Sequence, residues 1–194
     1  MTTLPPGRRI SVIGTSGAGK THVATRLATK LGIPYICNDA IIWQPDWVPR
    51  PADERHRLMS EAAVQEAWTF DGNLTAPEDE SILDRCDTIV WLDLPRWQVH
   101  SQVLWRTLSG LMTRKPHWEN GNPERWRMFF SKESIVWWSI KTFAERRRQY
   151  GALLADAALA HRTLIRLHSR DEVDRWLDSI PSSTVLASSD SLSA

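Results

Sequence analysis

Eight consecutive residues, Gly14, Thr15, Ser16, Gly17, Ala18, Gly19, Lys20 and Thr21, satisfy the pattern G-x-x-x-x-G-K-[ST] at every fixed position. Each residue type meets a separate need of phosphate chemistry. Glycines let the backbone turn its N–H groups inward and approach phosphate oxygens closely. A helix starting at the end of the run adds free N–H donors and a partial positive charge. Lys20 would reach the β- and γ-phosphates of a nucleotide, and the Thr21 hydroxyl would ligate Mg²⁺. The competing reading is a glycine-rich turn that binds nothing. The flanks favour phosphate, because a short apolar strand precedes the run and a helical pattern follows it.

Three acids could join this chemistry. Asp71 is expected to end a buried strand beside the loop, where a carboxylate could hold Mg²⁺ or its waters; a turn-forming Asp-Gly pair is the plainer reading. Asp39 could accept a proton from an acceptor hydroxyl or hold the acceptor, or it could cap a helix before Ala40-Ile41-Ile42. Asp93, placed within the fourth strand, is read as structural. Arginine outnumbers lysine 19 to 5, and arginine forks onto phosphate. Arg106, Arg114, Arg125, Arg127, Arg146, Arg147 and Arg148 cluster in one stretch, where they could close over a transferring phosphoryl group or form a solvated face. Arg50 and Arg57 are weaker candidates for an anionic acceptor. Of the 11 tryptophans, Trp105, Trp137, Trp138 and Trp176 are expected in the core. Trp43 and Trp47 could stack on a ring or pack over a core edge. The histidines, His22 included, show no metal spacing.

The elements that must position these residues alternate. Strands are predicted over 9–14, 34–37, 68–70, 88–94 and 163–167. Helices are predicted from Gly19 to Leu31, through Leu58, Ala62 and Ala63, through Val99, Val103, Leu104, Leu108 and Leu111, from about 132 to 160, and from Asp171 to Leu177. The alternation predicts an α/β fold, a five-stranded parallel sheet with helices on both faces. The stretch 113–127 is polar and has no period. Six serines in residues 181–194 predict a disordered tail.

Composition bounds the rest. The chain has 194 residues, 42% apolar and 24% charged, which suits one globular domain and excludes a disordered or fibrous protein. The formal charge is +1, but it is distributed unevenly. Residues 1–95 carry 9 basic and 13 acidic groups, 96–148 carry 11 and 4, and 149–194 carry 4 and 6. An anionic ligand is expected at the middle block. Cys37 and Cys86 are too few for a disulfide framework and are expected to be buried thiols. No signal-peptide pattern or apolar run of membrane-spanning length occurs, so a soluble cytoplasmic protein is expected.

In order along the chain, these segments resemble the P-loop kinases of the adenylate-kinase-like group, most closely the topology modulation proteins of the FlaR type. The resemblance covers about residues 9–178. It rests on Gly14–Thr21, on Asp39 after the second strand, on Asp71-Gly72 and Gly72-Asn73 after the third, and on Pro95 after the fourth. Arg106 matches the arginine that opens the family's lid, and Arg146 with Tyr150 matches its return pattern Arg-x-x-x-Tyr. The resemblance implies one kinase domain over 8–180 with a small lid inserted at about 106–148. It implies ATP and Mg²⁺ as cofactors and roles for Lys20, Arg106, Arg146 and Asp39 in catalysis. Asn73-Leu74-Thr75 replaces the Phe-Pro-Arg of adenylate kinases, so the acceptor stays open: a nucleoside, a nucleotide or another small molecule. The alternative is a nucleotide-dependent regulator associated with nucleic acid and DNA topology. The near-zero net charge and the lack of a helix-turn-helix, RRM or zinc pattern count against it. Oligomeric state is not legible.

Overall fold

The first strand explains the sheet. Ile10, Val12 and Ile13 are wholly buried, with side chains alternating between the two sheet faces. The structure, a computed structural model, describes residues 6–74, 79–113 and 135–182. Within them β1 (Arg9–Gly14), β2 (Tyr35–Cys37), β3 (Trp68–Asp71), β4 (Thr88–Leu92) and β5 (Thr163–Leu167) form one sheet in the order β2-β3-β1-β4-β5. Every pairing is parallel, so the expected fold class holds.

The helices are α1 (Lys20–Leu31), α2 (Asn38–Ile42), α3 (Ala52–Ala63), α4 (Glu80–Arg85), α5 (Arg96–Thr113), α6 (Ile135–Leu154) and α7 (Arg170–Ser179). One core layer joins Ile10, Val12, Val90 and Leu92 to Val23, Ala24 and Leu27 of α1 and to Val173, Trp176 and Leu177 of α7. The other joins Ile13, Trp68, Phe70, Ile89 and Trp91 to Met59 and Ala63 of α3, Ile82 of α4 and Tyr150 of α6. Helices therefore cover both faces. Local signals set their ends. Gly32 takes a left-handed conformation (φ 64°) after α1, and Ser169 caps α7 by accepting from the Glu172 N–H.

Several expectations are corrected. Helices α2 and α4 are too short to show a helical period; α4 was not anticipated, and α2 only as the helix that Asp39 could cap. Strand β4 ends at Leu92, so Asp93 lies just beyond it. There the Asp93 N–H donates to the Leu167 carbonyl at 2.8 Å before Pro95 ends any further pairing. Trp105 is not core: it is 75% exposed, and Leu104 of the same helix is also exposed. Trp176 is buried as expected. Trp137 and Trp138 lie on α6, but their side chains are outside the description. Cys86 is buried, whereas Cys37 is half-buried; both are free thiols. Burial pushes the Cys86 thiol up to about 11 against the opposing charge of Arg162. Residues 183–194 of the tail expected over 181–194, and residues 114–127 of the aperiodic stretch 113–127, lie outside the described residues.

Asp93 is the polar node of the sheet's carboxyl edge. Its buried carboxylate accepts from Arg147 Nε and Nη2 at 2.6 and 3.0 Å, and from Arg166 Nε and Nη2 at 3.0 and 2.6 Å. His168 Nδ1 stands 3.5 Å away. The Arg166 guanidinium also lies 4.2 Å over the Trp91 ring. This node ties α6 to β4 and β5. Replacing Asp93 by Ala should cost about 1–3 kcal/mol in urea unfolding, since both guanidiniums are half-exposed and water can rehydrate them. Replacing Arg147 by Ala should cost less, because Arg166 still satisfies the carboxylate.

Candidate active site

The run Gly14–Thr21 bends from the end of β1 into the start of α1, the strand–turn–helix context its pattern requires. Gly17 and Gly19 hold φ of 86° and 90°, a region that penalises any side chain. Gly17 also admits no Cβ for a second reason: one would overlap Val103 of α5 and sit 2.9 Å from the Val99 carbonyl. The loop therefore lies directly on α5. Gly19 is the N-cap of α1, with no side-chain cap taking the helix's first N–H groups, which leaves that end suited to an anion.

Lys20 Nζ folds back over the loop, donating to the Gly14 carbonyl at 2.9 Å and reaching the Thr15 carbonyl at 3.5 Å. Thr21 Oγ1 donates to Asp71 Oδ2 at 2.6 Å. The sequence fixes this meeting through register: Val12 of β1 pairs with Asp71 of β3, and Cys37 of β2 pairs with Asp71 from the other side. Asp71 is buried, and the Tyr35 phenol donates to the same oxygen at 3.3 Å. The structure thus brings Thr21 and Asp71 together as the sequence suggested, and it adds Tyr35, which the sequence reading passed over.

Asp39 sits in the first turn of α2 and is half-buried. It is not the helix cap: Cys37 holds that position, and the Asp39 carbonyl accepts from the Trp43 N–H. Beside it, Asn38 is buried with its Oδ1 lacking any hydrogen-bond partner, and its Cβ lies against Gly72. This unpartnered acceptor stands at the carboxyl edge of the parallel sheet, the side on which open α/β sheets bind ligands. Its only sequence signal was its place one residue past the second strand. Trp43 and Trp47 pack on each other edge to face, with centroids 5.9 Å apart. Arg50 pairs with Glu54, and Arg57 with Glu61, each at 2.7 Å.

Of the arginine cluster, Arg146 is on α6, donating to Gln149 at 3.3 Å. Arg147 is committed to Asp93 and is no phosphate arm in this structure. Arg106 is in α5 one turn past Val103, its side chain outside the description. Arg114, Arg125 and Arg127 fall in the stretch that is not described. Tyr150, three helical residues beyond Arg147, is wholly buried, with Oη 3.3 Å from the Gly14 carbonyl and 2.9 Å from Asn73 Oδ1. Burial raises its pKa against the nearby Arg146 charge, so the phenol remains a neutral donor. His22 is exposed on α1. No group of three or more His, Cys, Asp or Glu side chains forms a metal cluster among the described residues. No described helix is long and apolar enough to cross a membrane.

The chain matches no family model and no curated protein sequence. Its fold does match solved structures. A shikimate kinase from Bacteroides thetaiotaomicron aligns with a TM-score of 0.54 at 14% identity, covering 88% of this chain and 94% of that one. A sugar kinase from Janibacter aligns at 0.43 and 17% identity over 89% and 94%. A gluconokinase from Sinorhizobium meliloti aligns at 0.46 and 14% identity over 90% and 96%. The fold shared with the shikimate kinase is the P-loop kinase fold of the adenylate-kinase-like kind, the five-stranded parallel sheet described above.

Gly17→Ala should destabilise the protein by about 2–4 kcal/mol, since it combines overlap against α5 with an unfavourable φ. Thermal unfolding checks this. A Gly17→Ala protein as stable as wild type would mean that α5 does not press on the loop.

Proposed function

We propose that the protein is a P-loop phosphotransferase that moves the γ-phosphoryl group of Mg-ATP to a small acceptor. One observation carries the reading: Thr21 at the mouth of the loop hydrogen-bonds Asp71 at 2.6 Å while Lys20 lies over the same loop. A bare glycine turn has no need of this hydroxyl–carboxylate pair. The two oxygens are a hard-donor set suited to Mg²⁺, so Thr21 and Asp71 would hold the ion. Bound there, Mg²⁺ would offset the negative charge of the phosphates.

The loop N–H groups of Gly14 through Thr21 would cradle the phosphates, and Lys20 would leave the Gly14 carbonyl to neutralise the transferring group. Arg106 and Arg146 would supply further positive charge, with 106–148 serving as the lid of a single domain spanning 8–180. Asp39, together with the unpartnered Asn38 Oδ1, would meet the acceptor and take or orient its hydroxyl proton. Nucleoside, nucleotide and other small acceptors remain the candidates. The pairing of Arg50 with Glu54 and of Arg57 with Glu61 takes weight from a strongly anionic one. The FlaR-type topology modulation proteins are the group the sequence most resembles. A DNA-associated role is the second reading, and it predicts DNA binding that collapses as salt rises.

Lys20→Ala should abolish ADP release in a screen of acceptors while leaving the circular dichroism spectrum and melting temperature near wild type. A folded Lys20→Ala protein that keeps near-normal turnover would sink the proposal.

Two further substitutions assign roles. Asp71→Asn should lower turnover in a way that added Mg²⁺ partly restores, since the amide still offers one oxygen. Asp39→Asn should leave ATP-analogue affinity unchanged and lower kcat/KM for the acceptor, about 1.4 kcal/mol of barrier for each tenfold lost. If Asp39→Asn weakens the nucleotide and Asp71→Asn weakens only the acceptor, these roles are reversed.

A further inference from the structure

Helix α6 reaches the phosphate loop with two hydroxyls. Ser139 Oγ donates to the Ser16 carbonyl at 3.3 Å, and Tyr150 Oη lies 3.3 Å from the Gly14 carbonyl. Eleven residues span about three helical turns, so both hydroxyls leave the same face of α6. The Gly14 carbonyl also accepts from Lys20 Nζ at 2.9 Å, and the Tyr150 hydroxyl also meets Asn73 Oδ1 at 2.9 Å. A phenol has one proton, and here two acceptors stand within reach of it. The distances rank the contacts: Lys20 serves Gly14, and the phenol serves Asn73.

We propose that Tyr150 is a positioning residue that takes over the Gly14 carbonyl when Lys20 leaves it for phosphate. This rests on the phosphotransferase reading, in which Lys20 turns to the nucleotide. Its departure would strip a loop carbonyl of its closest donor, and an unpaired buried carbonyl opposes the change that uncovers it. The Tyr150 O–H needs only to rotate from Asn73 toward Gly14. Asn73 is half-buried, so its amide can turn Nδ2 toward the phenol oxygen or meet water. Tyr150 thus favours the loaded loop over the empty one, and it links α6, which carries Arg146, to the seat of the lysine.

The test is the affinity of the full chain for Mg²⁺ with adenylyl imidodiphosphate, by calorimetry. Tyr150→Phe keeps the ring and should raise Kd about tenfold, equivalent to about 1.4 kcal/mol, while the melting temperature of the empty protein stays near wild type. In a Lys20→Met background the phenol already serves Gly14 in both states, so the same change should lower the empty protein's melting temperature and leave binding unaltered. A Tyr150→Phe protein that binds as tightly as wild type overturns the proposal. So does a binding penalty that persists undiminished beside Lys20→Met. If Tyr150→Phe does not fold, 3-fluorotyrosine in a Tyr35→Phe chain replaces it; the more acidic phenol should tighten binding relative to unlabelled Tyr35→Phe, and unchanged or weaker binding overturns the proposal. Wild-type protein that does not bind the analogue at all refutes the phosphotransferase reading itself. Wild type that binds, with Tyr150→Phe equal to it, refutes only the role of Tyr150.

Discussion

A loop that turns its N–H groups inward for phosphate must turn its carbonyls outward, and each outward carbonyl then needs a donor of its own. The surrounding structure answers that requirement. Gly14 receives Lys20 and has the Tyr150 phenol 3.3 Å away as a second donor in reach, Thr15 receives the Ala18 N–H at 3.0 Å, and Ser16 receives Ser139. Two of these donors come from α6, more than a hundred residues away in sequence. That helix in turn needs an anchor. Phe143 enters the core, and Arg147 grips Asp93 one turn along. Residues 139, 143, 147 and 150 fall along one stripe of α6, so loop, sheet edge and core are served by a single helical face. The Gly14–Thr21 loop is therefore not a local motif resting on a fold. It is the point at which the carboxyl edge of the sheet and α6 are joined.

What could be read from the sequence follows from this distinction between local and distant partners. The motif at Gly14–Thr21, the five strands and the last helix were legible because each is written in adjacent residues or in a short period. Asp71 was legible as a strand end, and parallel register then brought it to Thr21. Asp93 was judged structural, which its place among Arg147, Arg166 and His168 explains, but those partners could not be named because they lie 54 to 75 positions away. Helix α5 misled in its outer half. Val99 and Val103 are buried under the loop, whereas Leu104 and Trp105 continue the apolar pattern onto an exposed side. Apolar spacing fixes a helix and not how much of its circumference is covered.

The excess of arginine in residues 96–148 illustrates the same limit for charge. A count of like charges suggests a cationic surface waiting for phosphate. Arg147, however, is bound to the most buried carboxylate of the edge, and its attraction for that acid outweighs what a distant anion could offer through water. The neighbouring Arg146, one residue earlier, makes no such pair with Asp93, and its charge opposes the rise that burial gives the Tyr150 phenol. Adjacent residues on a helix differ by about 100° in direction, so Arg147 reaches the sheet edge while Arg146 donates to Gln149 along the helix. Chemistry here is assigned by helical phase and not by membership of a basic stretch.

The opposite side of the edge is shaped by strain. Among the described residues, the non-glycine positions with positive φ are Asp46, Trp47 and Leu74. Asp tolerates this region, but a tryptophan there costs on the order of 1–3 kcal/mol and persists only where its surroundings over-determine it. The surroundings do so. The Gln44 N–H donates to Val48 and the Arg50 N–H to Ile42, both at 2.8 Å, while Trp43 bridges Pro49 and Arg50 Nε holds the Ile41 carbonyl at 2.9 Å. Two backbone bonds, which together form that bridge, and a guanidinium thus close the turn around the Trp43–Trp47 pair. A loop stapled in this way has its shape before any acceptor arrives. Under the proposed function, acceptor choice on this side rests on fit to a preset surface, and the conformational adjustment on loading falls to Lys20 and the elements that touch it.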